Sequence, residues 1–228
     1  MRRPAPAPLS SPVRAEIAPG LWLDSRLALW IAAERLLVIA DPHWGYAASH
    51  RARGNLVPLW GDEELERRLR ALIADYAPVE MLWLGDTVHA AEGAAQVERF
   101  LREPPVPVTL IAGNHDRRWA ARGVPTLSRG RYFFHHGDRD FAGPAGALEI
   151  VGHHHPAVAW SDGAGTSVKV PALIASPTRL VLPAFSPWAA GTPWGPRRSN
   201  VEIIWAVAPT RIFALPSSVS SQSVTSAS

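Results

Sequence analysis

The chain has 228 residues, 47% of them hydrophobic and 19% charged, a balance that fits a folded domain with a sizeable core and excludes a disordered polyelectrolyte. With no cysteine anywhere, it can have no disulfide, no thiolate metal site and no thiol catalysis, and it suits a reducing, cytoplasmic setting. A net charge of +3 permits a polyanionic partner without demanding one. The positive charge is nearly all arginine, Lys169 being the only lysine, which with the abundant Ala, Pro and Gly suggests a coding bias.

In chain order, residues 1–14 (MRRPAPAPLSSPVR) are rich in Pro, Ala and Ser and lack the apolar stretch of a signal peptide. They are predicted to be disordered. A single domain is expected over 15–215, followed by a disordered Ser-rich tail at 216–228. No apolar run approaches the roughly 18–20 residues that cross a bilayer, so a soluble protein without a membrane partner is expected. LWL and LALWIAAE predict a hairpin leading into RLLVIAD, a buried strand that stops at Asp41. DEELERRLRALIADYA then places Leu65, Leu69, Leu72, Ile73 and Tyr76 on one helical face, with Asp62 as the predicted N-cap and Pro78 as the stop. EMLWLGD predicts a second buried strand, AAQVERFLRE a short helix ended by Pro104, and VPVTLIAGN a third strand. Beyond about Arg131 the pattern is strands alone: RYFFHHG, ALEIVGH, AVAWS, VKVPALIA, TRLVLPAF, NVEIIWAVA and RIFAL. An α/β first half followed by a β-rich second half predicts layered sheets with flanking helices, an α+β arrangement.

Each early strand stops at polar residues of a particular kind: Asp41-Pro42-His43, Gly85-Asp86, and Gly113-Asn114-His115-Asp116. Later strands add His135-His136-Gly137-Asp138 and Gly152-His153-His154-His155. Ligand sites in α/β sheets gather at the carboxyl ends of strands. All nine histidines lie between His43 and His155 and none follows His155. Carboxylate and imidazole without thiolate suit Mn²⁺, Fe or Zn²⁺. Two such ions held roughly 3.5–4 Å apart can clamp the attacking and leaving oxygens of a phosphoryl displacement.

D-x-H, GD, GNHD, H and GHxH in this order resemble the signature of the calcineurin-like metallophosphoesterases. The resemblance spans Asp41 to His155. It implies a four-layer fold, with two mixed β-sheets packed as a sandwich between helices, and two divalent metal ions, Mn²⁺ first among the candidates. One metal would be held by Asp41, His43, Asp86 and His155. The other would be held by Asp86, Asn114, His136 and His153, with Asp86 as the bridge and a metal-bridging hydroxide as the nucleophile. His115 would contact the phosphate and assist the leaving group, so that His115, Asp86 and Asn114 form the expected catalytic set. His153 and His155 would be the ligand pair of the triple histidine and His154 a spacer.

A narrower resemblance joins ADPHWGYAASHRARGNLVP, LGDTVH, GNHDR and LPAFSPWAAG to the ligase-associated DNA repair endonucleases and phosphodiesterases. Pro42 and Tyr46 depart from that subfamily's usual leucine and lysine but spare the expected ligands. It implies a nuclease acting on nucleic acid beside a DNA ligase and a helicase. A phosphomonoesterase, a pyrophosphatase on a nucleotide or lipid precursor, and a non-catalytic scaffold are the alternatives.

Singly, each of these polar residues also reads as a strand-end turn residue. His135 competes with His136, and the following Gly137 favours His136. His89 reads equally as a substrate or supporting group and as a surface residue. Arg51, Arg53, Arg117 and Arg118 flank the motifs. Arg117, Arg53 and His89 are the expected substrate contacts, since a guanidinium fork suits phosphate. Trp44 and Trp188 are base-stacking candidates against a core reading.

Overall fold

The apolar runs before Asp41 form an antiparallel meander. In the computed structural model, which describes residues 12–102, 104–116, 123–161, 166–189, 191–194 and 202–216, the meander comprises β1 (Arg14–Ala18), β2 (Leu21–Asp24), β3 (Ala28–Ile31) and β4 (Leu36–Ile39). Its register pairs Leu21 with Ile31 and Leu23 with Leu29, so cross-strand neighbours bury the same face. β4 then continues the sheet in parallel with β5 (Glu80–Leu84), and β5 with β6 (Val108–Ile111). Parallel neighbours need long crossovers, and these carry α1 (Tyr46–Ala52), α2 (Gly61–Tyr76) and α3 (Ala91–Arg102).

The strands-only half builds the second sheet. It contains β7 (Thr126–Arg129), β8 (Tyr132–His135), β9 (Leu148–Val151), β10 (Pro156–Ser161), β11 (Ser167–Ala175), β12 (Arg179–Val181), β13 (Thr192–Pro193), β14 (Ile203–Ala208) and β15 (Arg211–Pro216). The strand order is β13-β10-β11-β12-β9-β8-β7, with β14 paired to β11 and β15 to β14. β8–β9 and β9–β12 are parallel, whereas β10–β11, β11–β14 and β14–β15 are antiparallel.

A single apolar cluster joins both sheets. Leu23, Val38 and Trp83 of the first belong to it with Phe134, Ile150, Leu173 and Val207 of the second, and Leu65, Leu69 and Leu72 of α2 share it. Each such side chain contributes about 1.5–3 kcal/mol over leaving it in water. The outcome is the expected α+β sandwich of two mixed sheets. A buried polar knot ties β2 to α2: Asp24 accepts from Arg26 Nε and Nη2 at 2.8 and 2.7 Å and from the Tyr76 hydroxyl at 2.9 Å.

Three features depart from the expectations. Asp62 is not the N-cap of α2; Trp60 is, without a side-chain cap bond. The Asp62 carboxylate instead accepts the Gly45 N–H at 3.1 Å, and burial pushes its pKa up. Strands β1, β7 and β13 and helix α1 were not anticipated. α1 is only 7 residues long, buries just Ala47 and Ser49, and starts from a left-handed Gly45, so it has neither an apolar stripe nor a capping residue. Residues 1–11 and 217–228, which contain most of both predicted disordered ends, lie outside the described residues.

Candidate metal centre

The five polar stretches meet at one rim because both sheets run parallel strands toward it. Pairing of β4 with β5 continues past the strand ends: His43 N–H donates to Asp86 O at 3.0 Å and Trp44 N–H to Thr87 O at 2.9 Å. The second sheet arrives alongside, with Gly152 N–H donating to His136 O at 2.9 Å and Phe185 N–H to Ala40 O at 2.7 Å. Two glycines permit the approach. A Cβ on Gly113 would collide with the backbone nitrogen of Asp86, and one on Gly152 would come within 2.6 Å of Asp41 Oδ2.

The backbone is strained where these side chains converge. Among the described residues, the non-glycine residues with positive φ are Leu27, Arg35, Asp41, His43, Ala77, Asp86, His153 and His155. Five of these eight are residues of the predicted metal set, at φ between 44° and 66°. Left-handed backbone costs an L-residue roughly 1–2 kcal/mol, and such strain persists where a site over-determines it.

Besides a group of His43, His89 and His115, two groups of side chains form around Asp86, and in each the candidate ligand atoms lie within 4.8 Å of one another. In the first are Asp41, His43 and His155. His43 Nε2 faces His155 Nε2 at 3.3 Å, His155 Nε2 lies 3.4 Å from Asp41 Oδ1, and His43 Nε2 lies 3.9 Å from Asp86 Oδ2. In the second are Asp86, His136 and His153. His136 Nε2 lies 3.4 Å from Asp86 Oδ1, 3.2 Å from His153 Nδ1 and 3.1 Å from Asn114 Oδ1. Asp86 thus presents one oxygen to each group.

These atoms suit divalent cations better than one another. His136 Nδ1 lies 2.8 Å from Leu84 O and is its donor, so Nε2 faces three other lone-pair atoms and needs either a proton or a cation to join them. Asp41 Oδ2 accepts the His153 N–H at 2.9 Å, while buried Oδ1 has no hydrogen-bond partner. An orphaned buried carboxylate oxygen is costly, and a cation beside it and His155 would relieve that cost. The nitrogen and oxygen donors therefore fit two divalent ions.

The electrostatics agree. Burial pushes the Asp86 carboxyl up, but His136, the His115 N–H and His43 outweigh burial and hold it well below the usual carboxylate range. Burial pulls His43 down to about 4 against the attraction of Asp41 and Asp86. His136 goes the other way, to about 9, because its contacts with Asp86 and Asp41 exceed the burial penalty. Burial and then the His136 charge lower His153.

Of the remaining predicted residues, His115 stands at the open side. Its side chain is 41% exposed, its Nε2 lies 4.0 Å from Asp86 Oδ2, and its N–H donates to Asp86 Oδ1 at 2.9 Å. His89 approaches His43 from behind, Nδ1 to Nδ1, at 3.4 Å. His135 turns away: it is fully buried with Nε2 2.6 Å from Glu149 Oε1, so His136 is the ring that reaches the centre. His154 points toward Trp194, its ring centroid 6.0 Å away. Arg53 is exposed at the end of α1, and Arg117 and Arg118 lie outside the described residues. Trp44 is buried against Phe100 and offers no face to a base. Trp188 is half-buried against Trp60, with ring centroids 4.6 Å apart.

Asp116 was not anticipated in a role. Its buried carboxylate accepts the Gly113 N–H at 3.0 Å and the Val88 N–H at 3.1 Å, pinning the Asn114 loop to the Asp86 loop. Burial raises its pKa to about 6 against those two bonds. Its place directly after Asn114-His115 was the available signal, but nothing in the sequence indicates which backbone groups it caps.

A family model for calcineurin-like phosphoesterases matches residues 34–176. Among solved structures, Pseudomonas putida nuclease MPE superposes with a TM-score of 0.66 at 24% identity, over 90% of this chain and 100% of that one. The E. coli phosphoesterase Yfce gives a TM-score of 0.42 at 19% identity over 79% of this chain and 98% of that one, too distant to bear on the argument. No curated protein matches the chain. The first likeness reflects a shared fold.

Proposed function

Because the chain belongs to the calcineurin-like phosphoesterase family and is a metal-dependent phosphoesterase, we propose that its substrate is a phosphodiester, specifically nucleic acid. The observation that carries the two-cation part of this reading is the Asp86 carboxylate, whose Oδ1 lies 3.4 Å from His136 Nε2 and whose Oδ2 lies 3.9 Å from His43 Nε2. Asp41, His43 and His155 would hold one cation, Asn114, His136 and His153 the other, and Asp86 both. Divalent cations so placed supply an activated water and neutralise charge on the phosphoryl oxygens.

The chain's own groups supply orientation and proton transfer. Backbone strain at Asp41, His43, Asp86, His153 and His155 fixes where the ligand atoms point. His115 is aimed by its own N–H bond to Asp86 Oδ1 and carries its imidazole to the exposed side. There it would donate a hydrogen bond to a phosphoryl oxygen and a proton to the departing oxygen. Arg53 and Arg117 would hold flanking phosphates. Mn²⁺ is the proposed metal, since the donors are oxygen and imidazole without thiolate.

Cleavage of nucleic acid is supported by the ligase-associated motifs and by the fold shared with the Pseudomonas nuclease. Association with a DNA ligase and a helicase in cytoplasmic DNA repair follows from the same motifs. Among the described residues no helix is long and apolar enough to cross a membrane. The test is hydrolysis of bis-p-nitrophenyl phosphate against p-nitrophenyl phosphate by protein stripped with chelator and reloaded with Mn²⁺, followed by single-stranded and nicked DNA. Preference for the diester with cleavage of DNA is expected. Preference for the monoester would make the protein a phosphatase on the same metals.

A further inference from the structure

Both ring nitrogens of His43 are engaged. Nε2 faces the first ligand group, 3.3 Å from His155 Nε2, and Nδ1 stands 3.4 Å from His89 Nδ1. An imidazole that offers Nε2 to a cation keeps its proton on Nδ1, and in a ring only 5% exposed that proton needs an acceptor. Two nitrogens facing each other hold one proton between them. With His43 as donor, His89 accepts at Nδ1 and carries its own proton on Nε2.

The backbone sets this contact up. His43 N–H donates to Asp86 O, and His89 N–H donates to Trp44 O at 2.9 Å. Trp44 and Val88 form a parallel bridge between them. The two histidines therefore flank a short ladder that prolongs β4 and β5. The His89 ring also packs on Tyr46 and stacks on His115, with centroids at 4.6 and 5.3 Å, contacts that restrict its rotation.

We propose that His89 is a positioning residue: it accepts the Nδ1 proton of His43 and thereby fixes the tautomer and ring rotation in which His43 Nε2 binds a divalent cation. This rests on the reading of Asp41, His43 and His155 as a cation position. Metal-binding histidines usually give that proton to a carboxylate, a carbonyl or water. A neutral imidazole in that place adds no negative charge beside His115, where a phosphate anion must arrive.

The test is a calorimetric titration of the metal-stripped full chain with Mn²⁺, resolving two binding steps. His89→Phe keeps a ring for stacking and removes the acceptor, and His89→Asn returns an acceptor oxygen near the Nδ1 position. We expect His89→Phe to weaken one step by about 10–100-fold, to leave the other unchanged, and His89→Asn to restore most of the loss. His89→Leu gives the same comparison should the Phe variant not fold. Two wild-type steps in His89→Phe, or equal losses in the Phe and Asn variants, would overturn the proposal. A wild-type protein that binds no Mn²⁺ would instead overturn the metal-centre reading on which it rests.

Discussion

His136 Nε2 stands 3.2 Å from His153 Nδ1, two ring nitrogens turned toward each other beside the Asp86 carboxylate. Only a proton or a cation satisfies that pair. Without metal the proton resides on His136, whose pKa is raised to about 9 despite burial because Asp86 and Asp41 attract the charge.

Cation and proton therefore compete. Below about pH 9 the metal must displace the His136 proton, so affinity weakens as pH falls and strengthens as pH rises toward 9. Calorimetry at pH 7 in buffers of different ionisation enthalpy is expected to detect about one proton released per chain from this site. Binding that is independent of buffer would place the cation away from His136.

The triple histidine offers an internal control. His154 faces Trp194 and lies outside both ligand groups. His154→Ala is expected to change turnover of a small diester less than about threefold, well under the 10²–10⁴-fold of a lost acid–base group. A collapse of activity would mean that the ligand pair within the triple histidine is not His153 and His155.

Fold stability separates from the site at Asp24. Asp24→Ala removes the bidentate partner of the buried Arg26 guanidinium, which keeps its 2.6 Å bond to Asp75. Because that charge stays paired, the loss is smaller than for an orphaned buried ion, about 1.5–3 kcal/mol. Denaturant unfolding is expected to show that loss, while the two-step Mn²⁺ titration of the remaining folded protein stays as in wild type.

Ala77 ends α2 at φ 42°, ψ 54°, and is exposed. Glycine takes that conformation without a Cβ penalty. Ala77→Gly is expected to stabilise the protein by about 0.5–1 kcal/mol after the added entropy of the unfolded chain. Thermal melting measures the sign directly.

Much of this was legible in the sequence, for physical reasons that differ by element. The continuous apolar runs LLVI and EMLWL announced β4 and β5 because parallel strands are buried on both faces. Metal-type residues stood at strand ends in chain order and marked the region of a site, while the expected ligands Asp41, His43, Asp86, Asn114, His136, His153 and His155 came from the resemblance to the calcineurin-like signature. α1 could not, because it lacks an amphipathic stripe and its cap is a left-handed glycine. Asp62 matched a capping pattern, yet the Gly45 N–H captured its carboxylate, a contact across 17 residues that no local rule contains. Trp44 sits beside a motif in the sequence but is buried in the core. The same limit hid Asp116, whose partners Gly113 and Val88 come from two different loops.

In the proposed centre one carboxylate, Asp86, serves two cations. The direct measurement is the metal content of Mn²⁺-reconstituted wild type and Asp86→Ala after exhaustive dialysis, with circular dichroism confirming that both are folded. Two ions per chain are expected in wild type, at most one weakly held ion in the variant, and diester hydrolysis reduced to background. A folded Asp86→Ala protein that retains two ions and turns over the diester would contradict that bridging role.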